Sequence, residues 1–96
     1  MFGNKVYRND KGAEFRLYGG TFAVSPLNEK AEKFLDAFVS KKNFKYSGHF
    51  YAALEFEGRG FSFLEQEGYI TYLFFDSKKQ VKKLLYDVCR ATIVGR

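Results

Sequence analysis

The feature that most constrains the fold is a pattern that occurs twice along the chain. In each half, short segments of alternating apolar and polar residues lead into one segment with helical periodicity. A period of two is typical of half-buried strands, and apolar residues three or four apart are typical of a helix packed on one side. The strands match 48 residues apart, at Gly12 and Gly60, Phe15 and Phe63, and Gly20 and Gly68. The helices match 50 residues apart, with Ala31, Phe34, Leu35 and Phe38 corresponding to Val81, Leu84, Leu85 and Val88.

Local signals set the expected elements. In the first half we expect strands at 4–9 and 13–18, a short strand or extended link at 21–24, and a helix from Ser25 and Pro26 to about Ser40. Serine can cap the free amides of a helix, and proline suits the first helical position. In the second half we expect strands at 49–57, 61–66 and 69–75, with turns at 58–60 and 67–68. The last helix would then be capped by Asp76 or Ser77.

These elements predict an α+β fold in which two helices pack on one face of a mostly antiparallel sheet. A chain of 96 residues fits a single domain, and its hydrophobic fraction of 46% suffices for a packed core. The pseudo-repeat halves would cover about 4–45 and 46–94. The alternative is that two strand-and-helix stretches align by pattern alone, which leaves the fold class unchanged.

Charge is distributed unevenly along the chain. Residues 77–96 carry six basic side chains against Asp87, and residues 46–76 carry five acids against Arg59, so the two stretches sum to +5 and −4. The first 45 residues add +4, which gives a net charge of +5. A net positive charge favours acidic partners, either nucleic acid, a membrane surface or an acidic protein face.

The last helix concentrates this charge. At about 100° per residue, an α-helix turns Lys79, Lys83 and Arg90 away from the apolar stripe and places Lys82 and Tyr86 beside them. Lysines four apart repel one another, which supports a binding role, and a merely solvated helix face is the alternative. We expect phosphate contacts from Lys78, Lys79, Lys82, Lys83 and Arg90, and stacking from Tyr86. A second cluster, Lys41, Lys42 and Lys45, would assist if the first helix ended beside the last, and is otherwise a solvated helix end.

Aromatic side chains exceed what one face of the sheet can bury. The chain holds twelve Phe and seven Tyr, and two helices cover only one face of the sheet. Glutamates on the same strands would repel phosphate, so we expect the surplus to form a self-association face for a homodimer. Arg59 to Phe63 partly match the signature of sheets that bind single-stranded RNA, but the full pattern is missing and the strand order does not fit. The expected self-association face consists of Tyr51, Leu64, Tyr69, Leu73 and Phe75.

Catalysis finds little support in the sequence. Phosphate-binding loops, nucleophile elbows, zinc-ligand spacings and dinucleotide fingerprints are all missing. His49 could act as a general base only with a nearby glutamate, and Cys89 is expected to be a small core residue. We therefore expect a protein that is not an enzyme and needs no metal or other cofactor. One cysteine, no secretory signal and no apolar run long enough to cross a bilayer predict a cytoplasmic protein with no membrane contact.

Two function hypotheses follow. The first is a small basic protein that binds nucleic acid with weak sequence specificity, because phosphate contacts carry no base information. The second is an inhibitor or adaptor that docks on an acidic or nucleic-acid-binding protein surface, in the manner of viral antagonists of host machinery. A nuclease that uses His49 is a remote third.

Overall fold

A computed structural model describes residues 4–40, 44–47 and 50–95 of the chain. It confirms a single α+β domain in which the strands form one antiparallel sheet and the helices pack on one of its faces. The strands and helices, in chain order, are β1 (Lys5–Arg8), β2 (Glu14–Leu17), β3 (Ala23–Pro26), α1 (Glu29–Ser40), β4 (Phe44–Ser47), β5 (Phe50–Phe56), β6 (Arg59–Gln66), β7 (Tyr69–Phe75), α2 (Lys78–Lys82), a π-helical segment (Lys83–Val88) and β8 (Thr92–Gly95).

The two halves of the chain meet at the centre of the sheet. The strand order is β4-β5-β6-β7-β3-β2-β1-β8, and Ala23 and Val24 of β3 pair with Phe74 and Leu73 of β7. Each of these two central strands leads into a helix, β3 into α1 and β7 into α2. The sheet therefore sets β1–β3 beside β5–β7, and the strands β4 and β8 form its two edges. The duplication of the halves stays a prediction.

One face of the sheet holds the core. Phe61 pairs with Phe75 and Phe63 with Leu73, and all four side chains are buried under the helices. The expectation that Leu73 and Phe75 lie on a self-association face is therefore wrong. Alternation along β7 turns these two residues toward α1 and the last helix, because they are two apart and share a face.

The opposite face of the sheet carries other aromatic residues of β7. Tyr72 and Phe74 stack there with ring centroids 5.8 Å apart, and Tyr18 lies 5.7 Å from Tyr72. Leu64 and Tyr69 are partly buried. Tyr51 pairs with Phe63 through the backbone, and its side chain lies outside the part of the chain that is described.

The first helix begins later than expected. Ser25 and Pro26 pair with β2 and belong to β3, so the helix starts at Glu29. Asn28 supplies the cap, since its Oδ1 accepts hydrogen bonds from the amides of Ala31 and Glu14 at 3.0 and 3.3 Å. Because the Asn28 side chain caps the helix and also accepts a hydrogen bond from β2, the helix begins after Asn28 and not at the serine–proline pair. The expected apolar stripe of α1 is confirmed, with Phe34 packed at the edge of the core.

The last helix widens after its first turn. Ser77 caps it in a capping box with Gln80, as one of the two expected caps, and the segment from Lys83 then has π-helical hydrogen bonding. The Cys89 amide donates to the Leu84 carbonyl five residues earlier, over 2.9 Å. Each residue of a π-turn rotates by less than the 100° of an α-helix, so residue i+5 replaces i+4 on the buried stripe. Val88 is therefore exposed, contrary to expectation, and Cys89 is buried as expected.

Two strands and one turn were not anticipated. Residues 44–47 form β4, which pairs with β5, and the residues after the last helix form β8, which pairs with β1. The turn between β5 and β6 is Glu57-Gly58 rather than 58–60, with positive φ at both residues, as a type I′ hairpin turn requires.

Candidate nucleic-acid interface

The last helix, residues 78–88, is fixed at its beginning by the buried side chain of Gln80. Its Nε2 donates to the carbonyls of Phe56 and Arg59, each at 3.0 Å, and to that of Gly60 at 3.2 Å. Its Oε1 accepts from the amides of Asp76 and Ser77 at 2.8 and 3.1 Å. Because a buried amide with all its partners resists reorientation, the start of the helix has one position relative to the β5–β6 hairpin.

The end of the same helix is fixed by buried Asn9, in the turn after β1. The Asn9 Nδ2 donates to the Cys89 carbonyl over 2.9 Å, and its Oδ1 accepts from the Lys11 and Ala13 amides, both at 3.0 Å. The apolar stripe of Val81, Leu84 and Leu85 lies in the core between these two contacts. The outward face of the helix is therefore held rigidly.

Lys78, Lys82 and Tyr86 form a stripe along this helix, spaced four residues apart. In a pure α-helix such a spacing drifts by about 40° per step, and the π-helical segment turns Tyr86 back toward the line of the two lysines. The same three residues line a shallow groove on one side and a deeper cleft on the other. This stripe is thus the ridge between the two depressions.

The outer groove carries most of the expected phosphate-binding residues. It is lined by Lys78, Lys79, Lys82, Lys83, Tyr86 and Asp87. Lys83 Nζ lies 3.0 Å from Asp87 Oδ2, and the hydrogen bond and charge of Asp87, then the charge of Glu57, raise the pKa of Lys83. Lys83 is therefore already neutralised within the molecule. Lys78, Lys79 and Lys82 are exposed and form no ion pair within the part of the chain that the structure describes.

The inner cleft lies between the last helix, the sheet and the β2–β3 turn, with a volume of about 660 Å³. Three lysines line it, and no Asp or Glu is among the described residues that do so. Its lining, from the sheet, the turn and the helix, is Lys5, Tyr7, Leu17, Tyr18, Gly19, Gly20, Thr21, Phe22, Lys78, Val81, Lys82, Tyr86 and Ile93.

Two tyrosines meet at the floor of the cleft. The rings of Tyr7 and Tyr86 contact edge to face with centroids 5.8 Å apart. Burial, and then a hydrogen bond and charge interaction with Tyr86, raise the pKa of Tyr7 to about 12. Tyr86 remains exposed, so it is anchored on one edge and open on the other. Stacking by Tyr86 stays a prediction.

The sheet side of the cleft was not predicted from the sequence. Lys5 and Tyr7 are two apart on β1 and therefore share the face that carries the helices, a signal that was available in the sequence. Their proximity to the last helix was not, because it depends on β8, which pairs with β1 and sets Ile93 opposite Tyr7. Phe22 enters from the β2–β3 turn.

The structure places Arg90 and the backbone of Lys45 apart from this surface. Arg90 follows the end of the helix in a left-handed conformation (φ 55°), and it lines neither the groove nor the cleft. Lys41 and Lys42 lie outside the described residues. The backbone of Lys45 belongs to β4, at the edge of the sheet opposite β8, and its side chain is not described.

In the described part of the chain, residues with metal-binding potential are not grouped. Among the described residues, no three His, Cys, Asp or Glu side chains are grouped in a way that could hold a metal ion. Burial raises the pKa of the Cys89 thiol to about 12, which keeps it protonated and unreactive near neutral pH. His49 lies outside the described residues.

Comparisons with protein-family models, with curated proteins and with solved structures find no match to this chain. None of the helices in the described part of the chain has the length and apolar character needed to cross a membrane.

Proposed function

We propose that this protein binds nucleic acid through the last helix and has no enzymatic activity. The observation that carries the proposal is the set of three exposed lysines, Lys78, Lys79 and Lys82, which have no carboxylate partner in the described part of the chain. Unpaired lysines on a rigid surface can neutralise phosphates and release their counterions. Tyr86 on the same ridge supplies a ring for stacking.

The positions of Lys78 and Lys79 support a binding role rather than a stabilising one. Both lie in the first turn of the helix, and no acidic residue accompanies them there. The positive end of the helix dipole disfavours cations at this position, and Lys78 and Lys82 also repel each other as an i,i+4 pair. A sequence selected for stability alone would favour Asp or Glu at these sites. A phosphate ligand would remove both penalties.

The second hypothesis, docking on an acidic protein surface, uses the same lysines. The two hypotheses differ in the partner that neutralises these lysines. An acidic protein face would supply carboxylates and would not require a stacking ring. Recovery of a protein partner that survives nuclease treatment, together with no binding of oligonucleotides, would support it over the proposal.

The test is fluorescence anisotropy with labelled single-stranded and duplex oligonucleotides at low salt. Lys78, Lys79 and Lys82 are replaced together by Glu, and the matched control replaces Lys11, Lys30 and Lys33, which lie away from the groove and cleft. Each reversal lowers the charge by two, so both variants change from +5 to −1. We expect the first variant to lose binding and the control to retain most of it. Equal loss in both would show that only net charge matters, and no binding by the unmodified protein would refute the proposal.

A further inference from the structure

We propose that the inner cleft receives one unpaired base of a single strand, with the flanking phosphates on the lysines at its rim. This inference rests on the proposed function and specifies its substrate class. It assigns binding roles to Lys5 and Phe22, which the sequence analysis did not select. The cleft's volume of about 660 Å³ lies within the usual range for sites that bind small organic groups.

The walls of the cleft suit a flat, largely apolar group. Phe22, Tyr86 and Ile93 line it and are exposed by 40%, 38% and 49%. Aromatic side chains that remain this exposed beside a concave surface are typical of ligand sites, because their burial by a ligand is favourable. Phe22 and Tyr86 enter from the β2–β3 turn and the last helix, so the cleft presents one aromatic side chain from each of two elements.

The rim of the cleft suits anions. Lys5 lies on the sheet side and Lys78 and Lys82 lie on the helix side, with no Asp or Glu among the described lining residues. An apolar peptide would leave these three ammonium groups without a counter-charge. A nucleotide within a strand combines a planar base with a phosphate on either side, which matches both the walls and the rim.

A duplex would bind poorly in the cleft. Its bases are paired and stacked, so one would have to be extruded before it could enter the cleft. The outer groove lies on the far side of the ridge and can contact phosphates of either form. We therefore expect single strands to bind more tightly than duplexes of equal length.

The experiment compares two strands of identical charge, an oligothymidine of about ten nucleotides and an abasic strand of the same length. Loss of all bases should weaken binding about 5- to 150-fold, the range measured for stacking of one base on an aromatic residue. Equal affinity for both strands would overturn the inference while leaving the proposed function intact. Failure of both strands to bind would overturn the inference, and failure of a duplex to bind as well would overturn the proposed function.

Matched variants locate the effect in the cleft. Phe22→Ala should weaken binding of the oligothymidine and leave that of the abasic strand unchanged. Leu27→Ala is the control, since Leu27 is also 40% exposed but does not line the cleft. Lys5→Gln should weaken the binding of both strands. A Phe22→Ala protein that binds the oligothymidine as tightly as the unmodified protein would contradict the proposed placement of the base.

Discussion

The side-chain amide of Asn9 donates a hydrogen bond over 2.9 Å to the carbonyl of Cys89, 80 residues later in the chain. This contact joins the β1–β2 turn to the end of the last helix, whereas Gln80 holds the beginning of that helix. The two buried amides hold the helix at both ends, which explains how a short helix with unfavourable charge in its first turn keeps a defined orientation.

Asn9→Ala should therefore destabilise the protein strongly. It removes the acceptor of two amide hydrogen bonds and leaves the buried Cys89 carbonyl without its donor. Buried groups left without a partner cost about 1–3 kcal/mol each, so we expect a loss of about 2–4 kcal/mol in the free energy of unfolding. Urea denaturation followed by circular dichroism measures it. The exposed neighbour Asp10→Ala is the control, and a loss of less than about 0.5 kcal/mol for Asn9→Ala would contradict the role of this contact.

Lys79→Glu should stabilise the fold and weaken nucleic-acid binding. A carboxylate in the first helical turn interacts favourably with the helix dipole, worth about 0.3–1 kcal/mol, and it would lie four residues before Lys83. The same change places a negative charge in the outer groove. Thermal denaturation measures the stability and fluorescence anisotropy measures the binding, both on the same protein preparation. Lys79→Gln should give smaller changes in the same directions, and a variant that is less stable yet binds normally would contradict the argument.

The stability of the protein should fall above about pH 9 because of Cys89. Its thiol has a pKa of about 12 in the fold, against an ordinary value of 9.0 in the unfolded chain. A group whose pKa is raised by folding stabilises the fold while protonated. That stabilisation is complete below pH 9 and is lost toward pH 12, by about 1.4 kcal/mol per pH unit once the unfolded chain is ionised.

The measurement is urea denaturation of the unmodified protein and Cys89→Ala at about pH 8 and pH 10. We expect the unmodified protein to lose about 1.5 kcal/mol more than the variant over this interval. The measurements end at about pH 10 because Tyr7, whose pKa is also raised to about 12, adds its own pH dependence to the stability at higher pH. Identical pH dependence in the two proteins would mean that Cys89 is not buried as described.

The parts of the fold that were predictable from the sequence are those with local signals. Ala31, Leu35 and Phe38 have a strict helical spacing, and Glu67-Gly68 between two alternating segments is a local hairpin signal, so both elements were expected. The burial of Leu73 and Phe75 was not, because alternation says which residues share a face and not which face the helices cover.

The candidate site was predictable only on its helix side. Lys78, Lys79, Lys82 and Tyr86 stand out in the sequence because residues 78–83 hold four lysines and no acid. Lys5 and Phe22 reach the site through the pairing of β8 with β1 and through the β2–β3 turn, which are contacts between distant parts of the chain. The exchange of Val88 for Cys89 on the buried stripe depends on a π-turn, which a fixed helical period does not anticipate.

The most direct test of the central claim is the salt dependence of oligonucleotide binding. If Lys78, Lys79 and Lys82 neutralise phosphates, the slope of log K against log salt should be less steep by about 2 for a single strand when all three are replaced by Gln. The control with Lys11, Lys30 and Lys33 replaced should keep the slope of the unmodified protein. An unchanged slope in the first variant, or the same change in both, would contradict the assignment of phosphate binding to the last helix.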